Sequence, residues 1–287
     1  MSANHAAFNL IFRFVENYIS PIAGRISSQR HVMAIRDGFI SAMPFMIVGS
    51  FLLVFAYPPF SPDTTWGFAR AWLDLAKEFE GRILTPFDMT MGIMSIYICA
   101  AISYNLGKHY EKSNQLDPFM CAMLSIMAFL LIAAPKTNGT LPVDSLGGTG
   151  IFTAILVAIY CVEMMRFLKA HNIGIRLPDQ VPPMIKNSFD LLIPVLVVVL
   201  TLYPLSLFIQ HHFDMLIPQA IMAIFKPLVS AADSLPAILL AVLIGHLLWF
   251  AGIHGAAIVS GMLQMFWLTN LGMNQQALAQ GCLLYTS

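Results

Sequence analysis

Five long apolar runs, each flanked by at least one charged residue, occupy nearly half of the chain up to residue 210. A helix needs about 20 mostly apolar residues to cross a bilayer core of roughly 30 Å. Such runs must be helical in lipid, because unpaired backbone groups there are costly. The pattern predicts an all-α membrane protein, a polytopic bundle of transmembrane helices. The five predicted spans are Gly38–Tyr57, Met89–Gly107, Pro118–Pro135, Ser145–Val162 and Leu191–Gln210.

The final quarter of the chain has a different pattern. After Asp233 it contains no Asp, Glu, Lys or Arg, and Gly245, Gly252, Gly255 and Gly261 recur within it. We expect these glycines to interrupt the helix, so that the stretch does not form two clean spans. Short, broken segments at membrane depth are tolerated where they are buried in protein or line a wet cavity. The pattern therefore predicts a re-entrant hairpin in the C-terminal part, at the place where a polar solute is held.

A histidine between two glycines is the main candidate for that solute site. Gly252 and Gly255 flank His254 and allow a tight bend that presents the imidazole into a cavity. A neutral imidazole both donates and accepts hydrogen bonds, which suits a sugar hydroxyl. Trp249 offers an apolar face for a sugar ring, and His246 is placed to line the same cavity. Ordinary packing roles stay open for these residues, although an ionisable residue within a membrane is a functional candidate by default.

A proline-rich segment before the fifth span supplies one further candidate. The stretch Leu177–Phe189 contains three prolines, which exclude a continuous helix. Asn187 then enters the membrane beside Phe189, and we take it as a candidate for contact with substrate. A turn followed by a helix N-cap is the alternative interpretation.

Composition narrows the function classes. The chain is 58% hydrophobic and 10% charged, against about 25% charged residues in soluble domains. Its formal net charge is zero, so nothing indicates a nucleic-acid partner. The four cysteines form no CxxC pair and are interpreted as small core residues. No phosphate-loop or HExxH motif and no carboxylate pair within a span occurs, which argues against a nucleotide-driven pump, an intramembrane protease and a carboxylate-based proton relay.

Basic residues and aromatic residues predict how the bundle sits in the membrane. Lys and Arg concentrate in the N-terminal arm and in the second and fourth loops, which places these cytoplasmic. Within the arm (1–30), an apolar stripe from Phe8 to Ile19 predicts an interfacial amphipathic helix. The stretch Trp66–Gly81, with two tryptophans among charges, suits either the opposite interface or an ordinary folded loop.

Three stretches of the sequence resemble a known family, and the resemblance runs over essentially the whole chain. The sequence is similar to the EIIC membrane permeases of the bacterial sugar phosphotransferase system (PTS), in the lactose, cellobiose and diacetylchitobiose branch. The stretches are Pro178–Pro183 with Asn187–Phe189 and Leu192–Pro194, Leu248–Gly255, and Arg36–Gly38 through Met43-Pro44 to Ile47–Ser50.

The resemblance implies a homodimeric permease of the bacterial inner membrane for a disaccharide such as cellobiose, chitobiose or lactose. A IIB partner, which receives its phosphate through IIA, would phosphorylate the sugar. The permease itself would need no cofactor, and whether it counts as an enzyme stays open. Residues 31–210 would form the dimer contact, and 211–287 would begin the substrate-binding part. By the same resemblance, His254 would bond the hydroxyl that is phosphorylated and Trp249 would pack on the sugar.

One departure from the family leaves alternatives open. Family members are longer and carry an Asn-Glu-Pro type motif in a second re-entrant hairpin, and this sequence has none. We therefore expect a C-terminally truncated chain with an incomplete sugar site. An ion-coupled secondary transporter remains an alternative, although the spans lack the carboxylates it would need. A non-functional membrane fragment is the other alternative.

Overall fold

The computed structural model describes residues 28–135, 140–175, 189–250 and 255–279, with isolated positions 13, 17, 21, 24, 25, 178, 180 and 182. These residues are mainly helical, which confirms the all-α fold class. The Phe8–Ile19 stripe and most of the proline-rich segment lie outside them. The helices of the described ranges are α1 (Arg30–Ala56), α2 (Gly67–Asp88), α3 (Met94–Asn114), α4 (Pro118–Ala133), α5 (Ile151–Ala170), α6 (Leu192–Phe213), α7 (Ile217–Ala232), α8 (Leu235–Phe250) and α9 (Gly255–Ala279).

Three of the described helices are long and apolar enough to cross a membrane: α1, α6, and α5 with the 3-10 turn Gly148–Gly150 before it. The pair α7 and α8 also passes as one broken span, bent by 72°. Of the other two predicted spans, α4 is apolar but has only 16 residues. The second, α3, begins at Met94 rather than Met89, because the backbone turns between these two residues. Its last turns contain charged residues and extend beyond Gly107, the predicted end of the span.

The helix α3 lies at the centre of the bundle, against α1, α4 and α5. Ile98, Ile102 and Leu106 follow one another at single-turn spacing on it and are fully buried. Their burial removes apolar surface from any solvent and fills the space between the helices. Outward-facing side chains on α1, such as Ile47 and Phe51, are apolar as well. This pattern is typical of a bundle whose outer surface meets lipid.

One carboxylate joins the ends of three helices in this bundle. Glu163 of α5 accepts a hydrogen bond from Tyr110 of α3 at 2.8 Å and lies 3.0 Å from the His31 imidazole of α1. Its other oxygen pairs with Arg166 at 2.6 Å. Arg30 and Arg166 also lie over the Tyr110 ring. Burial, reinforced by the Glu163 carboxylate, raises the pKa of Tyr110.

The stretch Trp66–Gly81 is not a loop, because all but its first residue lies in the amphipathic helix α2. The start of α2 belongs to an aromatic cluster whose neighbouring ring centroids lie 5.5–5.9 Å apart. The Trp72 indole also donates to the Phe55 carbonyl at 3.1 Å, which ties α2 to the end of α1. The cluster consists of Phe55, Phe60, Trp66, Phe68 and Trp72.

A backbone contact between two glycines fixes α9 against the N-terminal helices. A Cβ built on Gly148 would lie 2.6 Å from the Gly272 Cα, so neither residue has room for a side chain there. The turn that carries Gly148 is held in turn by α3, since Ser95 Oγ donates to the Gly147 carbonyl at 2.6 Å. The start of α3, the 3-10 turn and α9 therefore form one continuous packing contact.

Two of the four glycines of the last quarter do not break a helix as predicted. Gly245 lies inside α8, and Gly261 lies inside α9. A glycine in a helix interior costs about 1 kcal/mol relative to alanine, which flanking apolar residues offset. One helix ends at Phe250 and the next begins at Gly255, with Gly252 outside the described residues. The re-entrant hairpin itself stays a prediction.

Candidate binding pocket

A single face of α8 forms one wall of an open pocket of 360 Å³. Six of its residues recur at the three- and four-residue spacing that places side chains on the same side of a helix. The opposite wall comes from α9, through Val259 and Trp267. The α8 residues are Ile238, Ala241, Val242, Gly245, His246 and Trp249.

Among the described residues that line this pocket, His246 alone carries an ionisable side chain. Its Nδ1 lies 2.8 Å from the Val242 carbonyl, one turn earlier in α8. Because a carbonyl oxygen only accepts, Nδ1 must carry the proton in this bond. In the neutral imidazole, Nε2 is then the hydrogen-bond acceptor. The ring can therefore accept a hydrogen bond from a hydroxyl group in the pocket.

Two tryptophans give the pocket its aromatic character. Trp249 is 53% exposed and Trp267 is 40% exposed, and they come from the two different walls. An indole presents a large apolar face together with one N–H donor. Gly245 also lines the pocket, and a Cβ there would meet only the Val259 Cγ2, at 3.8 Å. The pocket thus combines flat apolar surfaces with a few polar atoms, as small-molecule sites do.

The predicted site residues divide into three groups. The structure places His246 and Trp249 in the same pocket. Gly255 is the first residue of α9, and its role in a site stays a prediction. His254, Gly252 and Asn187 lie outside the described residues, so their roles stay predictions.

Sequence reasoning missed Trp267 as a pocket residue. The chain has four tryptophans, and two of them, Trp249 and Trp267, fall in its charge-free last quarter. A large amphipathic ring in such a stretch is a signal that could have marked it. Its partnership with α8 depends on how two helices pack, which residue spacing within one helix does not contain.

Comparison with known proteins identifies the family. The model of the family "Phosphotransferase system, EIIC" matches residues 36–284. The cellobiose-specific EIIC component of the PTS of Geobacillus stearothermophilus is 33% identical, over 93% of this chain and 61% of that protein. A lactose-specific EIICB component from Streptococcus mutans is 32% identical, over 91% of this chain and 45% of that protein.

A solved structure agrees with both sequence matches. The crystal structure of the transporter ChbC, the IIC component of the N,N'-diacetylchitobiose-specific phosphotransferase system, superposes with a TM-score of 0.81 at 32% identity. The match covers 95% of this chain and 65% of that one, so the chain spans about two thirds or less of the proteins it matches. With apolar helices of membrane-spanning length and a family model that matches most of its residues, the chain belongs to the EIIC family of the phosphotransferase system.

Proposed function

We propose that this chain is the sugar-holding membrane component of a PTS permease and takes a neutral disaccharide of the cellobiose, chitobiose or lactose class. The observation that carries the proposal is the α8–α9 pocket, which is lined by two tryptophans and a histidine in a chain of the EIIC family. Its 360 Å³ volume falls near the lower end of small-molecule sites, which span roughly 300–1,000 Å³. That volume suits one or two sugar rings.

The chemistry of the lining favours an uncharged polyol. The apolar hydrogens of a pyranose face pack on indole rings, and its hydroxyls need hydrogen-bond partners at the ring edge. His246 Nε2 supplies an acceptor there, since Nδ1 is engaged by the helix backbone. His254, Gly252, Gly255 and Asn187 are proposed to complete the site.

The same lining explains how phosphorylation would drive release. A phosphate group carries up to two negative charges, and burying a charge without a partner is costly. Among the described residues that line the pocket, none is Lys or Arg. A IIB partner that phosphorylates the bound sugar would therefore weaken its hold, and the product would leave on the partner's side. Fusion of IIC and IIB in the lactose-specific EIICB relative supports such a partner.

The proposal extends to the arrangement of the chain. We infer that residues 31–210 form the contact of a homodimer, and that 211–287 belong to the part that moves with the sugar. The N-terminus is proposed to face the cytoplasm, in line with the basic residues at that end. The contact between Gly148 and Gly272 would then lie where the two parts meet.

Sugar binding to the purified full chain tests the proposal. Cellobiose, diacetylchitobiose and lactose are titrated in detergent, with tryptophan fluorescence as the readout, because Trp249 and Trp267 line the pocket. Trp249→Ala should weaken binding about tenfold, since loss of one stacked ring removes roughly 1.4 kcal/mol. His246→Ala should weaken it about fivefold, through loss of one hydrogen bond.

Trp66→Ala is the matched control, because Trp66 is exposed to a similar extent (59%) but lies in the aromatic cluster of α2. It should leave the dissociation constant unchanged. Equal binding by the wild type and the Trp249→Ala and His246→Ala variants would refute this pocket. A folded wild-type chain that binds none of the three sugars saturably would refute the function.

A further inference from the structure

A second cavity lies between the end of α1 and the helix α2. The residues that line it are far in sequence from those of the α8–α9 pocket. Its volume is 730 Å³, and we name it the α1–α2 cavity. Its polar lining comes from Arg70, Asp74, Lys77 and Glu80 of α2, together with Tyr57 just after α1. The four charged residues recur at three- and four-residue spacing, so they share one face of α2. The cavity therefore has a charged wall on one side.

The four charged residues of this wall have no net charge, and three of them form no ion pair within the described part of the chain. Two are cationic and two are anionic, so their formal sum is zero. Glu80 accepts a hydrogen bond from the Tyr57 hydroxyl at 2.9 Å. No ion pair within 4 Å joins Arg70, Asp74 or Lys77 to another residue of the described part of the chain. Oppositely charged groups that line one cavity without pairing can each meet a group of a ligand.

The surroundings place the α1–α2 cavity at the depth of lipid headgroups. It begins where α1, a helix apolar and long enough to cross a membrane, ends. In the last turn of α1, Phe55 is exposed and directly precedes Ala56, which lines the cavity. The aromatic cluster of α2 lies beside it, with Trp66 and Phe68 exposed. Tryptophan is enriched where the hydrocarbon core of a membrane gives way to its polar surface.

We propose that the α1–α2 cavity binds the headgroup of a zwitterionic phospholipid that carries a primary ammonium group. The phosphate lies between Arg70 and Lys77, which donate charge-assisted hydrogen bonds to its oxygens. The ammonium group meets the carboxylates of Asp74 and Glu80. The acyl chains follow the exposed apolar end of α1 past Phe55.

The lining distinguishes a lipid from a sugar at this place. A sugar site needs an aromatic face on which a ring stacks. Tyr57 is the only aromatic residue in the lining of the α1–α2 cavity, and the rings of the neighbouring cluster pack on one another instead. Charge complementarity with a zwitterion, together with the apolar approach along α1, therefore selects a phospholipid. The inference does not depend on the sugar proposed for the other pocket.

Native mass spectrometry of the purified full chain tests this site. The protein is mixed with phosphatidylethanolamine, phosphatidylcholine or phosphatidylglycerol, and the bound fraction of each lipid is compared. We expect phosphatidylethanolamine to be retained about tenfold more strongly than the other two, since it alone of the three has a cationic N–H group that forms charge-assisted hydrogen bonds with carboxylates. The double variant Asp74→Asn, Glu80→Gln should abolish this preference. The double variant Arg70→Gln, Lys77→Gln should weaken retention of all three lipids about tenfold.

Glu78→Gln and Arg82→Gln serve as matched controls, because both residues lie on α2 but outside the lining. They should leave lipid retention unchanged. Equal retention of the three lipids by the wild type would overturn the proposal, whether or not the variants fold. Loss of the preference in the control variants would also overturn it. Displacement of the lipid by cellobiose would assign the cavity to a sugar, and exclusion of lipid on dimer formation would assign it to a second copy.

Discussion

Replacing Gly272 by alanine tests whether α9 is pressed against the N-terminal helices through a backbone contact. A Cβ at this position would lie 2.5 Å from the Gly148 Cα and 3.0 Å from its nitrogen. Carbon atoms pack best at about 3.5–4.0 Å. Both obstructing atoms belong to the backbone, which cannot rotate away as a side chain can. The Gly272→Ala variant must therefore shift α9 outward by about 1 Å.

The cost of that shift follows from packing. Forcing an extra carbon into a filled contact typically costs about 1–3 kcal/mol. Replacing a helical glycine by alanine returns roughly 0.5–1 kcal/mol. We expect a net loss of about 1–2 kcal/mol in the free energy of unfolding. At roughly 2–4 °C per kcal/mol, the melting temperature should fall by about 2–8 °C.

A thiol-reactive dye supplies the assay. Cys99, Cys121 and Cys161 are buried and free, so they react only when the helices around them separate. The variants are made in a Cys282→Ser background so that only these three thiols can react, and the melting temperature of the purified protein in detergent is the midpoint of the labelling transition. Gly245→Ala is the matched control, because a Cβ there would have 3.8 Å to its nearest neighbour, and it should melt at or above the wild-type temperature. A Gly272→Ala variant as stable as Gly245→Ala would refute the packing argument.

Three further predictions concern single carboxylates, all read from melting temperatures. Glu163→Gln loses its ion pair with Arg166 and weakens two other contacts, which should cost about 1–2 kcal/mol. Asp117 accepts hydrogen bonds from two backbone N–H groups at the start of α4, so Asp117→Ala should cost about 1 kcal/mol. Burial raises the pKa of Asp88, so its carboxylate destabilises the fold as pH rises through that pKa. Asp88→Asn should therefore stabilise the protein near pH 7.5 and not near pH 3, two values on either side of its ordinary pKa of about 3.9.

Each of these predictions has its own control. Glu111→Gln, on the exposed side of α3, should leave stability unchanged, and an equal loss there would contradict the role of Glu163. Asp117→Ser keeps a capping oxygen and should retain most of the stability that Asp117→Ala loses. A stabilising effect of Asp88→Asn that is as large in acid as at neutral pH would show that its charge is not the cause.

The sequence predicts which segments are helical better than it predicts where each helix begins and ends. Arg36 and Asp37 predict a start of the first span at Gly38, yet α1 begins at Arg30. These two charges pair with each other at 2.8 Å and do not end the helix. Hydropathy marks where lipid can surround a chain, and a helix continues beyond that limit. The helix α2 was not predicted for the same reason, although Ala69 and Ala76 lie seven residues apart and are both buried.

The candidate pocket could be predicted in part. His246 and Trp249 are three residues apart, so helical geometry alone places them on one face. Glycine has a low helix propensity, which predicts a helix break at Gly245. Propensity takes no account of the apolar neighbours that stabilise α8. The opposite wall was not accessible to this reasoning, because Trp267 meets α8 only through the packing of two helices.

The late position of Glu163 in the sequence determines when its contacts with His31 and Tyr110 can form during synthesis. It lies 132 residues after His31 and 53 residues after Tyr110, so both groups leave the ribosome before their partner exists. At about 5–20 residues per second, His31 is made roughly 7–26 s before Glu163, 132 residues later. During that interval the ends of α1 and α3 can satisfy their polar groups only with water or lipid headgroups. Synthesis of α5 then brings the shared acceptor, so this polar contact among three helices forms only after α1 and α3 have been made.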